Sequence, residues 1–251
     1  MPAAYDTYNY PSYWEGREYE HESEVFAIKS LLEKVPRIGS IADIGAGFGR
    51  LVPSYSFRTK RIILVDPSKK LLKMAGEMYP DLNIKFIHSK GENIRKKMRA
   101  SSVDMAICVR VLHHARCEKT FLEEVTKIIK DGGYLLLEYP NKSHFLARFR
   151  EFLKGNFTFP IDITPKDIRS PRSLEQKTLP FFNYHPEKIE SLLKENGFSI
   201  IEKRSVSNIR IPWLKKIVGT KFLLDTEKKL QKPLSKINFG PSIFILAKKV
   251  G

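Results

Sequence analysis

The chain has 251 residues, 42% of them hydrophobic, and its 44 Lys and Arg against 28 Asp and Glu give a net charge of +16. That length suits one enlarged domain, residues 1–251, with a substantial core. No terminal apolar run is long enough for a signal peptide or a membrane span. Cys108 and Cys117 fit no metal spacing and are too few for a disulfide scaffold, which points to a reducing cytoplasm. Abundant Lys and Glu with little Gln fit a thermophile.

The N-terminus is aromatic, with Tyr5, Tyr8, Tyr10, Tyr13, Trp14 and Tyr19. The spacing of Val25, Ile28, Leu32 and Val35 predicts a helix over about 22–35, so 1–36 reads as an aromatic arm and a helix. Ile41, Ala42 and Ile44 predict a short buried strand with Asp43 near its end. Gly45, Gly47 and Gly49 follow in a turn where bare backbone can approach a ligand. A dinucleotide fingerprint is excluded because the third glycine comes one residue early, and the G-K-S or G-K-T of a P-loop is absent. Arg61 to Val65 is a second buried strand ending at Asp66-Pro67. That acid lies about twenty residues beyond the glycines, where a carboxylate can accept ribose hydroxyls.

Ser68 caps a predicted helix through about Tyr79, with Leu71, Leu72, Ala75 and Met78 on one face. Asn83 to His88 is the third strand, and Ser102 to Val109 is a fourth, apolar enough to be covered on both faces. A helix from about Glu118 has Phe121, Leu122, Val125, Ile128 and Ile129 as its stripe. Asp131-Gly132-Gly133 ends it, and Tyr134 to Glu138 is the fifth strand. Alternating strands and helices predict a parallel α/β sheet with its site at the carboxyl ends of the strands.

The form Asp43-x-Gly45-x-Gly47-x-Gly49 resembles motif I of the class I S-adenosylmethionine-dependent methyltransferases. Val103 to His114, Lys130 to Glu138, His185-Pro186 and Glu195 to Ile201 are similar to the type 11 branch of that family. The resemblance implies a Rossmann-like methyltransferase fold: a mostly parallel seven-stranded sheet whose antiparallel final strand contains Ser242 to Ala247. It implies S-adenosyl-L-methionine as cofactor, held by Asp43, Gly45, Ala46, Gly47 and Val109, with Asp66 on the ribose and Pro67 on the adenine. In the family an acid and a small residue often follow the third strand. Here the aligned pair is Lys90-Gly91, and lysine cannot accept a hydrogen bond. That places Gly91 by the adenine and leaves its amino group to Glu92 or a backbone carbonyl. Tyr13 and Arg17 of the arm either reach the cofactor carboxylate or pack the arm on the sheet.

Methyl transfer needs mostly in-line alignment, and a base only when the nucleophile must lose a proton. His113 and His114 follow strand four, where the methyl group belongs. Either one orients or deprotonates the acceptor, or serves as a histidine hydrogen-bonded to backbone. Glu138, Tyr139 and Asn141 on the same rim are candidate acceptor ligands, and Arg110 could meet an anionic substrate. The Asn/Asp-Pro-Pro-Tyr/Phe signature of many amino-group methyltransferases is missing. The Pro-Cys context of covalent cytosine methylation is missing too, so Cys108 reads as a buried strand cysteine.

Basic residues cluster at 85–99, 142–172 and 210–236, which suits a polyanion or a solvated lysine-rich surface. Two segments, 141–183 and 208–240, exceed the core fold and read as lid or substrate-recognition insertions. The first interleaves Phe145, Phe149, Phe152, Phe157 and Phe159 with cations. The second carries Ile211, Trp213, Leu214, Ile217, Val218, Phe222 and Leu223 and also suits an anionic membrane surface. The leading expectation is methylation of a base in structured RNA, rRNA or tRNA. The alternative is a small-molecule or lipid-like anionic acceptor under the lid. A non-catalytic RNA-binding module is disfavoured by the joint presence of Asp43, the glycines, Asp66, His113 and His114.

Overall fold

The computed structural model describes residue 6 and residues 10–176, 178–209 and 218–250. The expectations for Tyr5, Tyr8, Arg210, Ile211, Trp213, Leu214, Lys215, Lys216 and Ile217 lie outside the described residues.

Seven strands form one sheet: β1 (Ile41–Ile44), β2 (Ile62–Asp66), β3 (Ile84–His88), β4 (Val103–Cys108), β5 (Ile129–Pro140), β8 (Phe198–Val206) and β9 (Ser242–Lys249). Their order is β3-β2-β1-β4-β5-β9-β8. β9 alone runs antiparallel to its neighbours β5 and β8, as the resemblance implies. β1 and β2 are buried along their whole length, because helices cover both faces and strands so placed must be apolar throughout.

On one face lie α1 (Glu18–Leu32) and α2 (Lys69–Met78), contributing Ile28, Leu31, Leu72 and Ala75 to a core with Ile41, Leu64, Ile107 and Leu136. On the other, α3 (Glu118–Ile128) and α6 (Pro186–Glu195) bring Phe121, Val125, Ile189 and Leu193 against Ala42, Ala106, Leu135 and Ile245. The Ser68 hydroxyl caps α2 by accepting from the Leu71 amide at 3.1 Å. Among the described residues, no helix is long and apolar enough to cross a membrane.

Three details differ from the sequence pattern. α1 begins at Glu18 and not near 22, because Tyr19 and Glu20 are buried; Tyr19 donates its hydroxyl to Glu227 at 2.7 Å. β5 begins at Ile129, so that residue is strand and not helix stripe. Gly132 adopts φ +74° inside this strand, beside a register shift in its pairing with β4 between Val103 and Met105. Met78, expected on the inner face of α2, is half exposed.

The segment after β5 builds α4 (Phe145–Leu153), a short strand pair β6 (Lys166–Asp167) and β7 (Phe182–Asn183), and α5 (Pro171–Glu175) between them. The later segment carries α7 (Thr220–Ser235), whose Glu227 and Gln231 are fully buried. Gln231 donates to the Ser23 carbonyl of α1 at 2.9 Å.

Candidate active site

The turn after β1 hangs on the end of β2: the amides of Gly45 and Ala46 both donate to the Val65 carbonyl, at 2.7 and 3.1 Å. Gly45, Gly47 and Gly49 have φ of +78°, +57° and +78°, a region that side chains other than glycine adopt at a cost. A Cβ on Gly45 would stand 2.7 Å from Val111. At Gly47 the nearest neighbour is the ring of Tyr10 from the N-terminal arm, at 3.5 Å from such a Cβ. Asp66 accepts the amides of Gly47 and Ser68, each at 2.8 Å. Burial pushes its carboxyl up to about 6, against the opposing pull of those two bonds. Asp43 accepts the Tyr55 hydroxyl at 2.7 Å and is pushed up to about 7, chiefly by burial.

A cleft beside this turn is lined by Tyr10, Asp43, Gly45, Ala46, Arg50, Leu51, Val109 and Arg110. Its charged side is a buried network. Glu24 of α1 accepts from Arg50 and from Arg110, each at 2.6 Å. Burial alone would raise the Glu24 carboxyl, but Arg110 and Arg50 hold it below the usual range. The Arg50 guanidinium stacks on Trp14 at 3.5 Å from the ring centroid, and Arg110 stands 4.8 Å from the same ring. Arg110 itself has φ +57°; Glu138 holds that turn, accepting the Arg110 amide at 2.8 Å and the Ser242 hydroxyl at 2.6 Å.

After β4, the turn at Leu112–His114 sets the two histidine rings 4.0 Å apart, with Phe181 against His113 at 4.4 Å. Burial, then His114 and Arg110, drive the His113 pKa well below the ordinary 6.5. This neutral, buried imidazole has an Nδ1 with no hydrogen-bond partner among the described residues. His114 differs: its Nδ1 donates to the Pro180 carbonyl at 2.8 Å.

Residues 42–137 match the family described as "Methyltransferase domain". That match, with the relatives and structures that follow, supports a class I S-adenosylmethionine-dependent methyltransferase. The chain is 28% identical over 160 residues to the "probable S-adenosylmethionine-dependent methyltransferase CRG1" of Saccharomyces cerevisiae, covering 62% of this chain and 53% of that one. It is 24% identical over 152 residues to the mitochondrial ubiquinone biosynthesis O-methyltransferase of Dictyostelium discoideum, covering 52% and 47%. The chain thus spans about half the length of these curated relatives. Among solved structures, a methyltransferase of Thermotoga maritima, described as a possible histamine N-methyltransferase, superposes with a TM-score of 0.61 at 18% identity, covering 96% and 94%. One from Archaeoglobus fulgidus gives 0.58 at 17%, covering 96% and 100%. These two likenesses show the fold.

The family and fold imply S-adenosyl-L-methionine, and the cradle suits it. Positive-φ glycines expose amides and leave room at Gly47, while Asp66 supplies an acceptor at the mouth of the same turn. Of the residues expected around a class I cofactor, Asp43, Gly45, Ala46 and Val109 line the cleft, and Gly47 and Asp66 border it through their shared bond. Pro67 is half-buried, its carbonyl accepting from His88 Nε2 at 2.8 Å.

Other expected residues stand elsewhere or are otherwise engaged. Gly91 packs under α3, where a Cβ would meet the Phe121 ring at 2.3 Å. Glu92 accepts the Arg116 amide at 2.6 Å. Arg17 is exposed and stacks on Tyr13 at 4.2 Å, so the guanidiniums at the cleft are Arg50 and Arg110. Tyr139 lies in the core on the opposite sheet face from Asp43, with Leu135 and Leu137. Asn141 is fully buried and donates its amide to the Asn238 and Gly240 carbonyls at 2.7 and 2.8 Å. Asn141 is therefore a framework group in this structure, while the buried Tyr139 hydroxyl has no hydrogen-bond partner among the described residues. Glu138 faces the network, one oxygen accepting the Arg110 amide and the other the Ser242 hydroxyl.

Glu24 and Arg50 were missed by pattern reading, and so was Phe181. Glu24 left one signal: an acid three and four residues before Ala27 and Ile28, on the stripe that α1 buries. The basic segment 142–172 is largely spent internally. Lys142 is buried and donates to Asp162 at 2.6 Å and to the Thr164 carbonyl at 2.7 Å, and Arg169 pairs with Asp167 at 2.6 Å.

Proposed function

We propose that this methyltransferase acts on the hydroxyl of a small, apolar-bodied molecule bound beneath the 141–183 insertion. The observation that carries this reading is His113, a neutral imidazole enclosed by His114 and Phe181 with an unsatisfied Nδ1. An orphaned buried nitrogen calls for a partner, and a neutral imidazole next to the sheet's carboxyl end is suited to take a proton from an acceptor. The bound cofactor supplies an electrophilic methyl group. His113 then accepts the hydroxyl proton as the acceptor oxygen takes the methyl, while Phe181 and the insertion exclude water. Arg50 and Arg110, already offset by Glu24, give the cleft a positive wall for a carboxylate. The arm of 1–36 and the segments 141–183 and 208–240 act in this reading as the cover of one domain. The relative named for ubiquinone biosynthesis is an O-methyltransferase, which agrees with an oxygen acceptor.

The charge favours a second reading. Lys96 and Lys97 are exposed and carry no side-chain partner among the described residues, and the net charge of +16 suits RNA, with a base as acceptor and the protein working in the cytoplasm. The test is incubation with methyl-labelled cofactor and, in parallel, total RNA, a lipid extract and a small-molecule extract. Label in an organic-soluble product supports the hydroxyl acceptor. Label confined to RNA overturns it in favour of the second reading.

A further inference from the structure

α4 is built inside out. Phe145, Leu146, Phe149, Phe152 and Leu153 fall at i, i+1, i+4, i+7 and i+8, one stripe about 120° wide. In a surface helix such a stripe faces the core. Here the five side chains are between 49% and 69% exposed, and the helix buries none of its residues. Its other side, with Ala147, Arg148 and Glu151, is the half-buried one. Arg148 fastens it to the body by donating to the carbonyls of Ser143 and Ile237. The apolar surface continues beyond the helix: Phe157 (69% exposed) lies 5.5 Å from Phe152, and Ile161 (75% exposed) follows. At the start of the helix the Phe239 ring stacks on Phe145 at 5.0 Å.

The charges around this face decide what fits it. Three acids of the segment are held by cations of their own, Glu151 by Lys154, Asp162 by Lys142 and Asp167 by Arg169, and exposed Glu175 stands against the remaining cations. Among the described residues Arg150 and Arg172 have no such partner, while Lys166 faces the Phe159 ring and adds a weak attraction to Glu151. The surface is therefore apolar in its middle and cationic at its rim, on a chain of net charge +16. A second copy would bring two unpaired sets of cations into one dry interface, which like-charge repulsion opposes. A bilayer with anionic headgroups takes phenylalanine and leucine at the acyl boundary and neutralises the arginines.

We propose that the α4 face, Phe145 to Ile161, is a peripheral docking surface for an anionic lipid bilayer. It stands on this surface alone, whichever acceptor the active site takes.

The test is co-sedimentation of the full chain with vesicles of phosphatidylglycerol and phosphatidylcholine, and with phosphatidylcholine alone. The wild type should pellet with the anionic vesicles and release as salt rises. Combined Phe149→Ser, Phe152→Ser and Leu153→Ser should weaken binding at least about tenfold, and Arg150→Ala about fivefold. None of these side chains is buried, so cofactor affinity should be unchanged and serves as the control for folding. Wild type remaining in the supernatant with both vesicles overturns the proposal, as does a triple variant that pellets like wild type. Sedimentation velocity showing a dimer that the triple variant dissolves would assign the face to a second copy instead.

Discussion

The Asp66 carboxylate reaches from the end of β2 to the amide of Gly47, 2.8 Å away in the turn after β1. The glycine turn and the acid are thus one assembly, and the acid also holds the first amide of the α2 cap at Ser68. Asp66→Ala strands both donors and removes the proposed ribose acceptor. Cofactor affinity measured by calorimetry should fall by about 1.5–3 kcal/mol. Asp66→Asn, which keeps an acceptor, should lose less; equal affinity in all three proteins would remove Asp66 from the cofactor site.

Asp43 gives a pH dependence of definite sign. Burial raises its pKa from 3.8 to about 7, so over that interval the unfolded chain is ionised while the folded one holds its proton. The stability it contributes is full below the unfolded value and is lost as pH rises through the folded value. Cofactor-free protein should lose thermal stability between about pH 4 and pH 7, and Asp43→Asn should raise stability near pH 8 by about 1–3 kcal/mol. A variant melting at or below the wild-type temperature there would mean that Asp43 is an ionised, stabilising group.

Glu24 neutralises two guanidiniums at once. Glu24→Ala leaves Arg50 and Arg110 without their buried counter-charge and should cost about 3–5 kcal/mol in urea unfolding. Glu24→Gln, of the same shape, should cost less. An unchanged midpoint in Glu24→Ala would place both arginines in water.

Gly91 separates packing from cofactor contact. The added methyl of Gly91→Ala meets Phe121 and, at 3.1 Å, Ile44, an overpacking of about 1–3 kcal/mol. Calorimetric affinity for the cofactor should not change. A loss of affinity with no loss of stability would restore the adenine role.

If His113 is the base, His113→Ala should reduce turnover by roughly 10²–10⁴-fold and leave cofactor affinity alone. Because its pKa lies well below 6.5, the acid limb of kcat/KM should fall below that pH. An acid limb at or above pH 6.5, or normal turnover in the variant, would take His113 out of the chemistry.

The strands and the glycine turn were legible because each is a local run whose burial demands one composition: Ile41–Ile44 and Ile62–Asp66 read apolar because both faces are covered. The start of β5 was not, since Ile129 continues the α3 stripe and Asp131-Gly132-Gly133 resembles a helix stop; only pairing with β4 reveals a bulged strand. The ion network was hidden for a different reason. Glu24, Arg50, Arg110 and Glu138 come from four separate parts of the chain, and their meeting is a property of the sheet order. At Gly91 the sequence indicates that a small residue is tolerated, but not that Phe121 is what presses on it. Cations in 142–172 were countable, while the acids that consume them could be identified only in space.

The place of β9 has a consequence for how the protein is made. β9 follows β8 in sequence but is not at the rim of the sheet; it separates β5 from β8, and among the described residues β8 pairs with no other strand. Until residues 242–249 have been synthesised and threaded home, β5 presents an open edge of unpaired backbone and β8 has no neighbour to hold it. Such edges invite pairing with other chains. The chain is therefore most prone to aggregate while β9 is still missing from the sheet, and a single closing step removes both hazards together.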